Sequence, residues 1–529
     1  MLLLIPLLAL AHGVPGGDPG DFDEFPAVRA EVLDRVPVES IPAGAGRAND
    51  VWGWVSPAGR EYALMGTDTT TVVVDLDADE GATIVAELPH PRSSWSDLKV
   101  FGTFAYVSNE NSGGIQVFDL AALDAGGPVV EHPPVTAGAI SSAHNVVVDT
   151  DAGFLYAVGH DRGSRGMVIY DLLDPAAPLL VSSFGPNYVH DAQVLVMPDG
   201  PWAGHEIGFL ASGRTGLQIV DLTDKTSPWM LAELPYEGVS YAHQCWYDPA
   251  TQLLYLGDES DERGGLVDST TTYVFDVSDL TAPVLLGTFT NGLPSIDHNL
   301  HVVNGVVFEA NYTSGLRIFD ARIDPVQPPE VGFVDTWPAS DRTSFDGAWG
   351  VFADFPSGRV LVNDGDFGLF VVDPTAALTA PPDALLVHRP LSDAIVSPTV
   401  ERLTWHKSWG SLDYLVEVGR DPAMADLVWS GTTEGLAVEL RDAELPGCEG
   451  FWWTVTARGP HGDTRGPVRP FTTAPLGELS GDAVVDDTDL SNLRYAWMWG
   501  HPHGDLDRDG AVTEADREIL LANWGACPE

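Results

Sequence analysis

Val72-Val73-Val74-Asp75, Gln116-Val117-Phe118-Asp119, Val168-Ile169-Tyr170-Asp171, Gln218-Ile219-Val220-Asp221, Tyr273-Val274-Phe275-Asp276, Arg317-Ile318-Phe319-Asp320 and Phe370-Val371-Val372-Asp373 are seven copies of one pattern, an apolar strand closed by Asp, about fifty residues apart. Ahead of these lies a second strand-like run, as in Phe104-Ala105-Tyr106-Val107-Ser108, Leu253-Leu254-Tyr255-Leu256-Gly257 and Val306-Val307-Phe308-Glu309-Ala310. A Gly-rich or acidic turn separates the two runs, as a hairpin requires. Several short strands per repeat with no helical periodicity predict a seven-bladed β-propeller, four strands to a blade, over residues 28–375. A sandwich would not repeat internally seven times.

The rest of the composition fits a mainly β, multi-domain chain. Its 529 residues are too many for one core and suggest about two to four domains. With 44% apolar and 9% aromatic residues there is enough side chain to build cores, which argues against disorder. Formal charge is −51, from 77 acidic against 26 basic residues, and the lysines are Lys99, Lys225 and Lys407. Such a surface repels nucleic acid and anionic membrane, since phosphate binding depends on Lys and Arg. The apolar run 1–11, ending in Ala9-Leu10-Ala11, reads as a signal peptide, and no later stretch is long enough to span a bilayer. The expected location is secreted or extracellular, with cell-surface association.

The repeat endings resemble the LVIVD repeat. Longer strings narrow the match: Val189-His190-Asp191-Ala192-Gln193, Gly204-His205-Glu206-Ile207, Gly257-Asp258-Glu259 and Ile296-Asp297-His298-Asn299-Leu300 look like the choice-of-anchor B family. The resemblance implies a secreted body joined to a C-terminal anchoring device and supplies no activity.

Aligning the repeats puts a polar residue at the head of one strand in most blades: Asn49, Ser96, His144, His190, His243 and His298, with Trp349 in the seventh. Equivalent positions of successive blades form a ring about a propeller axis. Asp191, Glu206 and Asp258 are then candidate neighbours of the imidazoles, as are Glu259 and Asp297. One reading is a transition-metal or ligand site at the channel, because His with carboxylates suits a first-row ion. The other is that each His hydrogen-bonds the next blade, which repetition favours, since a catalytic site needs one asymmetric set. No Gly-x-Ser-x-Gly elbow, His-Glu-x-x-His, phosphate loop or dinucleotide fingerprint is present.

After a linker at 376–382 the pattern changes. Leu403-Thr404-Trp405, Tyr414-Leu415-Val416-Glu417-Val418, Phe451-Trp452-Trp453-Thr454-Val455 and Phe471-Thr472-Thr473 are short strands at β-sandwich spacing over 383–474. Trp405, Tyr414 and Trp453 in this order resemble a fibronectin type III-like domain. Trp409 and Trp452 could stack on a glycan, though core packing accounts for them better.

Asp505-Leu506-Asp507-Arg508-Asp509-Gly510-Ala511-Val512-Thr513-Glu514-Ala515-Asp516 spaces oxygen ligands as a calcium loop does. Asp505, Asp507, Asp509 and Asp516 supply carboxylates, Ala511 a carbonyl, and Gly510 the sharp turn. A degraded copy offers Glu478, Ser480, Asp482, Val484 and Asp489, with Ala483 where Gly eases the turn, and should bind calcium weakly. Asp516 in place of the usual Glu, followed directly by a helical run, resembles the dockerin module over 476–526. That implies calcium as cofactor and a cohesin-like protein or cell-surface component as partner. Cys448 and Cys527 could join the C-terminal modules by a bridge, while Cys245 reads as buried packing.

The expected protein is a secreted, non-catalytic binding or display molecule whose propeller meets a glycan or protein ligand. The alternative is a metal-dependent enzyme with its site at the propeller channel, recruited to a polysaccharide-degrading assembly.

Overall fold

Each of the seven Asp-terminated runs is the third strand of its own antiparallel sheet: Thr70–Asp75, Ile115–Asp119, Met167–Asp171, Leu217–Asp221, Thr272–Asp276, Leu316–Asp320 and Gly368–Asp373. The computed structural model describes residues 24–398 and 402–527, so the apolar run 1–11 lies outside the described residues. The closing Asp has one job throughout. Its Oδ1 accepts the main-chain N–H two residues on, from Asp77, Ala121, Leu173, Thr223, Ser278, Arg322 and Thr375, at 2.7–3.1 Å. Asp is favoured there because its short carboxylate closes the turn that ends the strand.

Strand order within each sheet follows the chain. The first strands are Ala48–Val55, Leu98–Phe101, Asn145–Asp149, Asp191–Val196, Ala242–Asp248, Asn299–Val303 and Ala348–Phe352. Each packs against the next, and the seventh returns to the first, so the first strands form a closed cycle. The fourth strand of the seventh sheet is Glu31–Val36, from the other end of the chain, paired to Gly368–Asp373. Just before it, Ala27–Val28 adds a fifth strand to the sixth sheet.

Second and third strands are buried on both faces, which is why they read as unbroken apolar runs. Fourth strands such as Thr83–Pro89 and Trp229–Leu234 are partly exposed and carry Glu87 and Glu233, charges that discourage edge-to-edge pairing. The core lies between sheets. Phe209, Ile219 and Ala211 of the fourth sheet meet Tyr247, Leu254 and Phe275 of the fifth; Val306 and Phe308 of the sixth meet Val362 and Phe370 of the seventh. Burying one such aromatic side chain stabilises the fold by about 2–3 kcal/mol.

Beyond Asp373 the chain forms a short helix, Thr375–Thr379, which overlaps the segment read as a linker at 376–382. Arg29 pins the stretch after that helix, donating to the carbonyls of Ala380 at 2.5 Å, Pro381 at 2.8 Å and Trp409 at 3.3 Å, and pairing with Asp383. Two sheets then share one core. Val387–Arg389, Arg402–Trp405 and Ala437–Glu439 make the smaller; Ala394–Val396, Arg469–Thr473, Gly450–Gly459, Asp413–Gly419 and Leu427–Thr433 make the larger. Trp405, Tyr414, Phe451 and Trp453 fill the space between them. Trp409 is half-buried and packs edge-on against Phe333 of the sixth sheet, so it serves the junction between units.

The last described segment holds the helices Asp487–Trp499 and Glu514–Ala522 around Leu479, Val485, Leu493, Leu506 and Leu520. A disulfide between Cys448 and Cys527 ties it to the preceding unit, while Cys245 is buried and free.

Candidate functional site

The heads of the first strands meet at the centre of the cycle. His144 and His190 have ring centroids 4.1 Å apart, His190 and His243 4.1 Å, and His243 and His298 4.2 Å, with Trp349 4.9 Å beyond His298. All four imidazoles line one cavity with Asp50, Trp95, Ser96, Asn145, Glu259, Asn299 and Trp349.

Main-chain geometry fixes which nitrogen faces inward. Nδ1 of His190 donates to the carbonyl of His243 at 2.8 Å, and Nδ1 of His298 to that of Trp349 at 2.5 Å. A carbonyl only accepts, so the proton sits on Nδ1 and the lone pair on Nε2. His144 places Nδ1 2.7 Å from Oε1 of Glu110, so this ring too is tied by Nδ1 to an acceptor. One ring nitrogen holds neighbouring sheets together, and the other is left for the cavity.

Glu259 completes the set. It leaves the second strand of the fifth sheet, Leu253–Asp258, and reaches the imidazoles, with Oε2 3.9 Å from Nε2 of His243 and Oε1 3.6 Å from Nε2 of His298. Tyr312 donates its hydroxyl to Oε1 at 2.6 Å. Burial pushes the Glu259 carboxyl up to about 7 and drives His298 down to about 3. Burial, reinforced by neighbouring imidazoles, also holds His190 and His243 well below the usual range. His190, His243 and His298 are therefore neutral imidazoles beside an acidic side chain, and such lone pairs with a carboxylate are the donor set of a first-row transition ion. On the solvent side a cavity of about 330 Å³ adjoins it, lined by Glu110, Arg165, Tyr188 and Tyr241.

Residues one step along the first strands form a polar layer beneath. Lys99 lies over the Trp52 ring, 2.5 Å from Asp97 and 3.9 Å from Asp50. Oδ2 of Asp97 accepts the Val146 N–H at 2.9 Å, and Oε1 of Gln244 the Leu300 N–H at 2.6 Å, each across to the next sheet. This layer carries sheet-to-sheet hydrogen bonds.

The candidate neighbours separate accordingly. Asp191 belongs to the lower layer, where burial raises its carboxyl to about 6 against the pull of Lys99. Glu206 does not face the imidazoles. Its strand meets His190 at Ala211, five residues and about 17 Å from Glu206, and its carboxylate binds Tyr156 and Lys225. Asp258 turns away as well, accepting from the Tyr236 hydroxyl and the Ser240 N–H, both at 2.8 Å, and from the Tyr241 N–H at 2.5 Å. Alternation along the strand explains why Asp258 leaves and Glu259 arrives. Asp297 sits in a separate acidic cluster.

The two C-terminal loops share one skeleton. Asp516 accepts the Leu506 N–H on Oδ1 at 2.6 Å and the Thr513 N–H on Oδ2 at 2.6 Å; Asp489 accepts those of Leu479 at 2.7 Å and Asp486 at 2.8 Å. Asp505, Asp507 and Asp509 bring carboxylate oxygens within 4.8 Å of one another, which fits a hard cation. In the degraded copy Oε1 of Glu478 accepts the main-chain N–H groups of Ser480, Gly481 and Asp482, while Oε2 has no hydrogen-bond partner. Ala483 nevertheless takes the left-handed turn, with φ of 69° where Gly510 has 95°. That strain costs about 1 kcal/mol.

No family model and no curated protein matches the chain. Solved structures do. A functionally unknown protein from Desulfotomaculum acetoxidans is similar at 13% identity and a TM-score of 0.40, covering 57% of this chain and 89% of that one. Hydrazine synthase from Kuenenia stuttgartiensis is similar at 13% and 0.40, covering 60% and 93%. The computationally designed Ika8 protein is similar at 10% and 0.38, covering 61% and 82%.

Proposed function

We propose that this chain is an exported, modular metal-binding protein. A seven-bladed β-propeller of the choice-of-anchor B type holds a first-row transition ion at its axis, a fibronectin type III-like sandwich spaces it, and a dockerin-like module attaches it through calcium to a cohesin-like partner or cell-surface component. The observation that carries the metal reading is the convergence of His144, His190, His243 and His298 with Glu259 on one cavity, with Nδ1 of three of them tied to acceptors. A purely structural role for repeated histidines needs only the Nδ1 bonds and does not account for Glu259 approaching Nε2 of both His243 and His298.

Docking through the C-terminal module is supported by the apolar surface it keeps exposed, including Tyr495, Met498, Trp499 and Trp524, next to the Asp505, Asp507 and Asp509 loop. Metal-dependent catalysis is the second reading. It is favoured by the cavity beside the imidazoles, where Arg165 would bind an anionic group and the Tyr188 and Tyr241 hydroxyls would hydrogen-bond it.

Elemental analysis of the full chain, prepared with and without added copper, zinc, iron and manganese, tests the first reading. One equivalent of one such metal, lost in His243→Ala/His298→Ala while circular dichroism is unchanged, is expected. A metal-free protein under every loading condition overturns it.

A further inference from the structure

Asp261, Glu262 and Asp297 form a second cluster, outside both the imidazole site and the C-terminal loops. Asp261 and Glu262 open the short helix Asp261–Gly264 that follows the second strand of the fifth sheet. Asp297 stands just before the first strand of the sixth sheet, Asn299–Val303. The three side chains are 0%, 8% and 2% exposed, and one oxygen from each lies within 4.8 Å of the other two.

These carboxylates are short of donors. Tyr273 donates to Oδ2 of Asp261 at 2.9 Å, and the Asp297 N–H to Oε1 of Glu262 at 3.4 Å. Oδ1 of Asp261, Oε2 of Glu262 and both oxygens of Asp297 have no hydrogen-bond partner. Asp297 is the telling member, enclosed by the fold with neither carboxylate oxygen hydrogen-bonded. The backbone makes room for it: a Cβ at Gly257 would stand 2.4 Å from Oδ2 of Asp297. Three buried carboxylates lose their hydration together, a loss that a positive charge or protons must offset.

We infer that Asp261, Glu262 and Asp297 bind a hard divalent cation, calcium by their chemistry, at the junction of the fifth and sixth sheets. An all-carboxylate set excludes the soft ligands that copper or zinc prefer. Oxygens on opposite sides of a calcium ion stand up to about 5 Å apart, and the three oxygens here all lie within 4.8 Å of one another. This site stands whether or not the imidazole ring carries a metal.

Full-length protein equilibrated with calcium and then desalted should hold one more calcium per chain than Asp297→Asn, and its β-sheet melting temperature should fall on adding EDTA while that of Asp297→Asn does not. Equal calcium content in the two proteins, with melting indifferent to EDTA, overturns the inference. Should Asp297→Asn fail to fold, terbium luminescence decides in a full chain carrying Asp509→Ala. Emission excited through Tyr273, displaced by calcium and severalfold weaker in Tyr273→Phe, supports the site. No emission, or emission indifferent to Tyr273→Phe, rejects it.

Discussion

Nε2 of His298 stands 3.6 Å from Oε1 of Glu259, a separation that one transition ion bound to both would span. Because burial holds the Glu259 carboxyl near 7, protons and metal compete for it across neutral pH. Metal affinity should rise as pH increases through about 7 and level off above it. Glu259→Gln should lower affinity at least tenfold at pH 8 and flatten the pH profile. Competition titration with a chromophoric chelator at several pH values reads both effects.

Asp364 offers a pH test of the fold away from any proposed metal. It ends the second strand of the seventh sheet, and burial raises it to about 6 from an ordinary 3.8, although it accepts the Asp366 and Phe367 N–H groups at 2.9 Å. A raised folded pKa means that its protonated form favours folding below about 4 and that this contribution is lost as pH rises through 6. The loss approaches about 3 kcal/mol. Asp364→Asn should remove that component, leaving the variant more stable than the parent at pH 8 and little changed at pH 4. Urea titrations at the two pH values measure the difference.

Calcium should add helicity through the loop of Asp505, Asp507 and Asp509, because these carboxylates repel one another until an ion draws them together. Far-ultraviolet circular dichroism of the full chain should show a calcium-dependent gain that Asp509→Ala abolishes. Glu478→Ala should reduce it slightly, since that loop offers Ser480 where the stronger one has Asp507. Asp297→Asn should leave it intact.

Cys448 and Cys527 join segments 79 residues apart in sequence. Restricting that much unfolded chain is worth about 4.5 kcal/mol in the chain-entropy account. Cys448→Ser should therefore lower the melting temperature of the C-terminal units while the ring of sheets melts as before. Differential scanning calorimetry with and without a reductant separates the two transitions.

What the sequence disclosed is what the chain repeats. The closing Asp of each third strand was legible because one turn is built seven times from one side chain, and the imidazoles because they share a register position. Glu259 was visible only as a neighbour, since it sits on a connection unlike the other six. Glu206 and Asp258 were placed by nearness along the chain, and strand length and alternation carry both away. The cluster of Asp261, Glu262 and Asp297 joins residues from different sheets, so no spacing rule could bring them together. At Ala483 residue type suggested a stiffer turn, yet the backbone accepts the strain because Asp489 fixes the loop from both sides.

The strand Glu31–Val36 gives the molecule a timetable. Its partner ends at Asp373, so the earliest part of the ring to be synthesised must stay unpaired while some three hundred and forty residues are added behind it. A chain emerging from a ribosome or threading a translocon carries an open edge until then, and a truncation short of the seventh sheet can never close. Moving that strand to follow Asp373, with a new start at Ala48, would replace a long wait by a local hairpin.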